Sequence, residues 1–396
     1  SERTSSRMKS ARVGIIGAGL AGLNAARALN RAGIDNEIYE ASDRIGGRIT
    51  SDLIDGYICD RGFQVVNPAY SELLETGIAK DLGIRALPKG ARIHLNGMSI
   101  LVGDPRASLR YLAGDLSQRS GSLLEKLHFF QYLMAKTEDL TFSAAMSDCG
   151  GFFDDVLSPF LTGVFLTSPS EMSNQMAREL IHWFIKGRPG LPQGGVKRLP
   201  ELLADGANIH LNAKVEKIAK NSIRVNGRSE EFDAIIVAAD PISASQLLDL
   251  PRPKMSGCIT WYHSCDAGTL SDKEIQIPTR GAIVNSVVLS NTAPEYAPSG
   301  KQLIATTALE EVPVGELHSE LSRIWRQNTD IWDLINRYDV TSALPFHPPG
   351  QELLQPIQFG SGVYVAGDWR SIPAQQGALL TGRLAAQRVI GDLQVR

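Results

Sequence analysis

Three glycines and one acid near the start of the chain have the spacing that binding a dinucleotide requires. Gly17, Gly19 and Gly22 follow a β-branched run, and Glu40 stands at the end of a second apolar run. The first glycine permits a tight turn, the second lets the backbone approach a pyrophosphate, and the third lets a helix pack closely on the strand. The helix N-terminus favours phosphates, and an acid at position 40 suits a ribose diol and disfavours the 2′-phosphate of NADP.

The residues around these four predict the elements that would position them. Residues 13–16 read as a buried strand, Leu23, Ala26 and Leu29 share one helical face, and residues 34–39 read as a second strand. A G-x-G-x-x-G spacing by itself is often a turn that serves only helix packing. The strand, helix, strand and acid in the correct order favour a dinucleotide site.

A second group of glycines and arginines follows Glu40 directly, in the segment ASDRIGGR. It places Arg44, Gly46, Gly47 and Arg48 after the acid. This E-x-x-x-R-x-G-G-R spacing resembles the extended signature of the flavin amine oxidase, phytoene desaturase and protoporphyrinogen oxidase superfamily. The resemblance implies that Glu40 holds the adenosine ribose of FAD, that the arginines lie along the pyrophosphate and flavin, and that the glycine pair passes close to the cofactor. The alternative is a surface loop with two solvated arginines.

A third match lies near the C-terminus. Residues 362–368 read as a buried strand that ends in Gly367-Asp368, and residues 374–386 read as a helix opened by small side chains. In this superfamily the aspartate contacts the ribitol and phosphate of FAD, and the helix N-terminus points at the flavin pyrimidine ring. A helix N-terminus stabilises negative charge, which suits a reduced flavin.

The central match is looser. Residues 191–204 resemble the P-x-G-G-x-x-x-L-x-x-x-L-A segment of phytoene desaturase-like and protoporphyrinogen oxidase-like proteins. Residues 209–218 read as the entry to a strand pair, in which the resemblance implies that the backbone of Val215 meets the adenine. Residues 232–241 read as the next strand and turn. An ordinary β-meander is the alternative for this segment.

Together these matches predict an α/β fold: a Rossmann-type FAD-binding domain interleaved with an α+β substrate domain. The FAD-binding domain is expected at 8–75, 190–245 and 350–396, the substrate domain at 76–189 and 246–349, and a disordered tail at 1–7. FAD is expected to be non-covalent, because residues 351–362 lack the cysteine that attaches flavin in some amine oxidases. The cofactor-binding residues are expected to be Gly17, Gly19, Leu20, Ala21, Gly22, Glu40, Ala41, Arg44, Gly46, Gly47, Arg48, Val215, Gly367, Asp368, Gln376, Gly377 and Ala378.

The two stretches without dinucleotide features are predicted to form a β-sheet floor with helices over it. Residues 122–136 have helical periodicity, whereas 275–289 and 302–309 read as alternating β runs. Most aromatic residues between 129 and 165 are interpreted as core, but their density suggests an apolar pocket or tunnel wall. The substrate-pocket candidates are Phe160, Phe165 and Ala374.

The resemblance narrows the chemistry only in part. Amine oxidases of this fold clamp the amine between two aromatic rings, and alignment through Gly377 places Ala374 where one ring would stand. Residues 160–166 and 296–301 instead resemble the phytoene dehydrogenase-like branch. We therefore expect hydride transfer from a hydrophobic isoprenoid, polyene or ring substrate to FAD, with no catalytic acid or base evident. The alternatives are an amine oxidase that makes peroxide and a non-catalytic lipid-binding protein similar to Rab GDP-dissociation inhibitors, against which the intact glycines argue.

Composition indicates an enzyme rather than a nucleic-acid-binding protein. The 396 residues carry a net charge of −3, with basic residues scattered along the chain. The four cysteines form no C-x-x-C pair, so no metal site and reduced thiols are expected, with Cys59 a small buried residue. The chain has no run of 18 apolar residues. We expect a cytoplasmic location, with the plastid stroma or peripheral membrane contact as alternatives; the Ser/Arg-rich residues 1–10 could be an added tail or a transit remnant.

Overall fold

The computed structural model describes residues 11–103, 120–134 and 138–394. The described residues cluster into two compact units. Unit 1 contains the described parts of Ser1–Gly47, Pro200–Pro253 and Leu354–Arg396, and unit 2 contains those of Arg48–Leu199 and Lys254–Leu353. The predicted tail at 1–7 lies outside the described residues.

The helices and strands alternate along the chain. The α-helices are α1 (Leu20–Arg31), α2 (Ser71–Thr76), α3 (Leu123–Met134), α4 (Phe142–Ala145), α5 (Gly150–Phe152), α6 (Ser158–Phe165), α7 (Asn174–Lys186), α8 (Arg198–Leu203), α9 (Pro241–Leu247), α10 (Val314–Trp325) and α11 (Gln375–Gln394). Short 3₁₀ segments are Ala79–Leu82, Ser147–Cys149, Pro169–Glu171, Leu289–Asn291, Pro294–Tyr296 and Asp368–Arg370, and Phe153–Leu157 is a π-helical turn.

The strands are β1 (Arg12–Ile16), β2 (Asp35–Tyr39), β3 (Ser51–Ile54), β4 (Tyr57–Asp60), β5 (Arg85–Ala86), β6 (Gly90–Leu95), β7 (Met98–Gly103), β8 (Gly190–Leu191), β9 (Ile209–His210), β10 (Val215–Ala219), β11 (Ser222–Val225), β12 (Arg228–Glu231), β13 (Ala234–Val237), β14 (Met255–Asp266), β15 (Ile275–Pro278), β16 (Ile283–Val288), β17 (Lys301–Ala308), β18 (Asp333–Pro345), β19 (Gln358–Gly360) and β20 (Val363–Val365).

Unit 1 is built on a sheet in the order β19-β20-β13-β1-β2-β9, parallel except at β19. The β-branched runs of β1 and β13 form its centre, because apolar residues on both faces suit a strand covered by helices. The carboxyl ends of parallel strands meet at one edge, where open α/β sheets bind ligands. Gly17, Glu40, Ala238 and Gly367 therefore follow strand ends at that edge.

The looser central segment forms a three-stranded antiparallel meander, β10-β11-β12. Val215 and Ile223 of this meander share one buried cluster with Ile16, Tyr39 and Val365. The meander reading of this segment is therefore correct for its local structure, and the meander belongs to the core of unit 1.

Unit 2 is built on a sheet in the order β18-β14-β17-β16-β15-β6-β7. Helix α10 packs on one face through Leu317 and Leu321, which share a cluster with Trp261 of β14, and α6 packs against β15 and β16. The alternating run predicted at 275–289 is two strands rather than one. The chain turns at Gly281, whose φ of +99° suits glycine.

The unit boundaries differ from the domain boundaries predicted from the motifs. Residues 48–75 and 190–199 cluster with unit 2, residues 246–253 with unit 1, and residues 350–353 with unit 2. For the first two segments the reason is a shared core. The Tyr262 hydroxyl donates to the Asp60 carbonyl at 2.7 Å, and the Val196 amide donates to the Asp60 carboxylate at 3.0 Å.

The buried carboxyl of Asp60 predicts a specific pH dependence. Burial raises the pKa of Asp60 to about 7, and hydrogen bonds from Ser51 and Val196 oppose the rise. An unfolded aspartate titrates near a pKa of about 3.9. Between about pH 4 and about pH 7 the folded chain therefore holds a proton on Asp60 that the unfolded chain has lost. This group therefore makes stability fall as pH rises from about 4 to about 7.

Asp60→Asn is expected to remove that fall, because asparagine keeps an acceptor for Ser51 and Val196 without a titrating charge. Melting temperatures of the two proteins from about pH 5 to about pH 8 would measure it. Asp52→Asn is the control, since Asp52 is partly exposed and paired with Arg61. Parallel pH profiles for the wild type and Asp60→Asn would contradict the prediction.

Candidate functional site

The glycine loop has the geometry of a phosphate-binding turn. Gly17 has φ +103°, its amide donates to the Tyr39 carbonyl at 2.8 Å, and a Cβ there would lie 2.6 Å from the Ala238 carbonyl oxygen. A Cβ on Gly22 would lie 1.9 Å from the Gly17 carbonyl oxygen. Gly19 differs, because a Cβ there would meet nothing within 4 Å. Protein atoms therefore fill the space beside Gly17 and Gly22, whereas the space beside Gly19 is free.

Helix α1 begins directly after Gly19, its N-cap residue. Glycine has no side-chain oxygen to cap the first-turn amides, which here belong to Leu20, Ala21 and Gly22. Leu20 and Ala21 have buried side chains, so they can contribute backbone amides to a ligand rather than side chains. The open N-terminus suits an anionic group.

Glu40 is bonded to the glycine loop. Its Oε2 accepts from the Ala18 amide at 2.8 Å, and its Oε1 accepts from the Ser42 amide at 2.9 Å and the Ser42 hydroxyl at 2.8 Å. The carboxylate is therefore held at the strand end by both neighbours. Sequence reasoning missed Ser42, although a serine two residues after an acid is a recognisable turn signal. The exposed Ala41 lies between the two.

The arginine-glycine segment lies against the glycine loop. The Gly46 amide donates to the Ala18 carbonyl at 2.8 Å, and a Cβ on Gly47 would lie 3.5 Å from the Cα of Gly19. Arg44 donates to the Gly47 carbonyl at 2.9 Å. Positive φ values of +99° and +59° at the two glycines explain the glycine pair. The reading of this segment as an ordinary surface loop does not explain these contacts.

Arg48 is the first residue of unit 2. Its Nη1 donates to the Ala343 carbonyl on β18 at 2.7 Å, and its carbonyl accepts from Gln64 at 2.9 Å. The side chain is thus positioned by the sheet of unit 2.

The Gly-Asp segment is held by a residue that the motifs did not indicate. The hydroxyl of buried Thr381 accepts from the Gly367 amide at 2.9 Å and lies 2.9 Å from the Gly377 carbonyl. Asp368 is also buried, with 4% of its surface exposed. Thr381 thereby joins the end of β20 to α11. A threonine within a helix has no sequence signal for this role.

The start of α11 is tightly packed. A Cβ on Gly377 would lie 2.0 Å from the Ile372 carbonyl oxygen, and a Cβ on Gly382 would lie 2.2 Å from the Ala21 carbonyl oxygen. The Ala378 amide donates to the Ala374 carbonyl at 3.1 Å, and Gln376 is buried. Helix α11 therefore packs closely against α1 in unit 1.

The predicted cofactor residues of unit 1 thus meet at one edge of its sheet. The space beside Gly19, the uncapped N-terminus of α1 and the acid at a strand end fit the pyrophosphate and ribose of FAD. Val215 is buried at the start of β10, in the same unit. The residues present therefore fit the group that the sequence predicted.

Two of the three substrate-pocket candidates belong to unit 2. Phe160 is partly buried against Ile93 and Ile277 and contacts Phe184 edge-on, with ring centroids 5.8 Å apart. Phe165 is 3% exposed. The third candidate, Ala374, belongs to unit 1.

Most other aromatic residues of this region pack against one another. Phe129 contacts Phe152, and Phe142 contacts both Tyr132 and Phe153. These residues therefore fit the interpretation as core. Phe130 differs, because 61% of it is exposed.

The four cysteines are free and buried. Burial raises the pKa of the Cys59 thiol to about 12, so Cys59 is the small buried residue that was predicted. Within the described residues, no three His, Cys, Asp or Glu side chains cluster as metal ligands would. None of the described helices is both long and apolar enough to span a membrane.

The fold and site place this chain in a class of flavoproteins. The chain matches the family described as "Flavin containing amine oxidoreductase" over residues 20–390, and it belongs to that family. The protein is accordingly an FAD-dependent oxidoreductase. The superfamily predicted from the glycine and arginine motifs is confirmed, as is the α/β fold class.

Individual relatives show how far the similarity extends. Hydroxysqualene dehydroxylase of Rhodopseudomonas palustris is 24% identical, over 96% of this chain and 98% of its own length. Putrescine oxidase of Kocuria rosea is 43% identical, but over only 18% of this chain and 14% of its own. A solved oxidoreductase of Methanosarcina mazei has a TM-score of 0.75 at 19% identity, over 95% of this chain and 100% of that one. This last likeness shows the fold alone.

Proposed function

We propose that this enzyme dehydrogenates an apolar isoprenoid, polyene or ring compound by hydride transfer to non-covalent FAD. Unit 1 would bind the FAD and unit 2 the substrate. One observation carries the choice of substrate. Between residues 366 and 394 the one aromatic residue is Trp369, and it is buried in the core of unit 1 with Val365 and Leu248. Helix α11 therefore supplies no ring for an amine cage. Ala374 stands where alignment through Gly377 places that ring.

A cage and a smooth wall recognise different molecules. Aromatic faces supply electron density and orientation to an amine, whereas an alanine and aliphatic side chains stabilise a hydrocarbon chiefly by removing it from water. The Rhodopseudomonas palustris relative, which matches over nearly its whole length, is named for hydroxysqualene. Its name and the missing ring support the same substrate class.

The residues of unit 1 have the following proposed roles. Bound FAD supplies the two-electron acceptor for C–H oxidation. Glu40 accepts hydrogen bonds from the adenosine ribose, and the first amides of α1 bind the pyrophosphate. Asp368, held in place through Thr381 and Gly367, binds the ribitol side. The N-terminus of α11 favours negative charge beside it.

Amine oxidation is the second candidate, and the segment shared with putrescine oxidase favours it. This segment covers a small part of either chain, so it supports the cofactor chemistry more than the substrate.

Anaerobic reduction of the bound flavin tests the proposal. We expect loss of the visible flavin absorbance with an isoprenoid polyene or a porphyrinogen, and little change with benzylamine or putrescine under the same conditions. Dithionite serves as the control that the flavin can be reduced. Rapid reduction by the amines, with peroxide formed on admitting oxygen, would overturn the proposed substrate class.

A further inference from the structure

The sheet of unit 2 carries a row of polar side chains across four adjacent strands. Asn285 of β16 pairs with Thr307 of β17, Thr307 with Thr260 of β14, and Thr260 with Tyr338 of β18. Directly paired residues on adjacent strands point to the same face. The four side chains therefore form one line at right angles to the strands, referred to below as the polar row.

The polar row is buried, and its hydrogen bonds are incomplete. Asn285, Thr307 and Thr260 are 6%, 2% and 0% exposed. The two threonine hydroxyls lie 3.3 Å apart, and the Tyr338 hydroxyl donates to Asp52 at 2.7 Å. The Oδ1 atom of Asn285 has no hydrogen-bond partner. A buried amide oxygen without a partner costs free energy unless another group donates a hydrogen bond to it.

Another buried amide of the same sheet is fully bonded. Gln302 of β17 accepts from the Leu270 amide at 3.0 Å and donates to the Leu270 carbonyl at 2.8 Å and to Asn291 at 2.6 Å. The unit 2 sheet thus satisfies the amide of Gln302 completely. The Oδ1 atom of Asn285, in the neighbouring strand of the same sheet, has no such partner.

Asn285 has apolar neighbours on its own face of the sheet. Val287, two residues along β16 and on the same face, is 0% exposed, and Ile277 of β15 is 2% exposed. Helix α6 packs over β15 and β16. A Cβ on Gly163 of α6 would lie 2.8 Å from Asn285 Nδ2, so only glycine leaves room for the amide there. At this end of the polar row the adjacent side chains of the same face are therefore apolar.

Strand β18 carries both Tyr338 of the polar row and the contact to Arg48. Arg48, which directly follows the Gly46-Gly47 pair, is bonded to Ala343 near the end of β18. That end of β18 pairs with the start of β14, where Ser256 lies opposite Leu344. Thr260 lies four residues further along β14. Thr260 and Tyr338 of the polar row therefore belong to the same pair of strands that carries the Arg48 contact.

We propose that Asn285, with Thr307 and Thr260 beside it, is a substrate subsite that recognises a hydroxyl group on an otherwise apolar molecule. The apolar character of that molecule rests on the proposed function. A hydroxyl can donate to the unpaired amide oxygen of Asn285. The same hydroxyl can also accept a hydrogen bond from the amide nitrogen or from a threonine of the row. A protonated amine would bring a charge beside Asn285, Thr307 and Thr260, none of which is an acid. The Asp52 carboxylate at the Tyr338 end of the row is already paired with Arg61.

Matched variants and matched probes test the subsite. The FAD-loaded protein is titrated with geranylgeraniol and with the hydrocarbon of the same carbon skeleton, and binding is followed by tryptophan fluorescence. Asn285→Leu is expected to lose about tenfold in affinity for the alcohol, the loss for one hydrogen bond, and to keep its affinity for the hydrocarbon. Its melting temperature should equal or exceed that of the wild type, whereas Gln302→Leu should melt lower.

The contrary outcomes distinguish failure of the subsite from failure of the proposed substrate class. If Asn285→Leu lowers the melting temperature as Gln302→Leu does, the amide is a structural group and the subsite is refuted. An unchanged affinity for the alcohol in Asn285→Leu refutes the subsite and leaves the proposed function standing. If the wild type binds neither probe, the apolar substrate class fails, and the subsite that rests on it fails too.

Discussion

Gly19→Ala is expected to lose FAD binding by about ten- to a hundredfold while the apoprotein unfolds at the same temperature as the wild type. Apart from the residues adjoining it in the chain, the added methyl meets no protein atom within 4 Å, and the φ of −77° at this position suits alanine. The methyl would instead occupy space that we assign to the pyrophosphate, and overpacking of this kind costs about 1–3 kcal/mol.

Gly22→Ala is the matched control for that prediction. A methyl there would lie 1.9 Å from the Gly17 carbonyl oxygen, so the helix must move, and both the melting temperature and FAD binding should fall. Flavin fluorescence quenching and thermal unfolding of each apoprotein measure the two effects. If Gly19→Ala binds FAD as the wild type does, the pyrophosphate does not lie at this loop.

Glu40→Ala is expected to weaken FAD binding by about 1–3 kcal/mol, the range for losing charge-assisted hydrogen bonds. Two causes add together. The ribose loses its acceptor, and the Ala18 amide and Ser42 lose the carboxylate that holds the loop. Retention of FAD through dilution, followed by flavin absorbance, measures the loss.

Glu37→Ala serves as the control for Glu40→Ala. Glu37 lies in β2, three residues before Glu40, but its carboxylate pairs with Arg12 at 2.6 Å and with His210 at 2.9 Å rather than with the glycine loop. Its removal should change stability and leave FAD retention intact. Equal FAD retention in Glu40→Ala and the wild type would show that this carboxylate does not bind the ribose.

Much of the cofactor site could be predicted because its signals are local. The turn at Gly17, the helix after Gly19 and the acid after β2 are encoded within about thirty consecutive residues, and the glycines are required by backbone geometry. The α/β class follows for the same reason, since buried parallel strands and amphipathic helices have different periods. Residue types and short spacings therefore suffice for the family, the fold class and the cofactor.

The remaining features depend on contacts between residues distant in the chain. Thr381 bonds Gly367 across 14 positions, and the raised pKa of Asp60 comes from burial by segments that short-range patterns assigned to the other domain. Asn285 is an ordinary strand residue until β17, β14 and α6 enclose it and leave its oxygen unpaired. Burial and hydrogen-bond completion are properties of the packed chain, because they depend on which atoms replace water around each group.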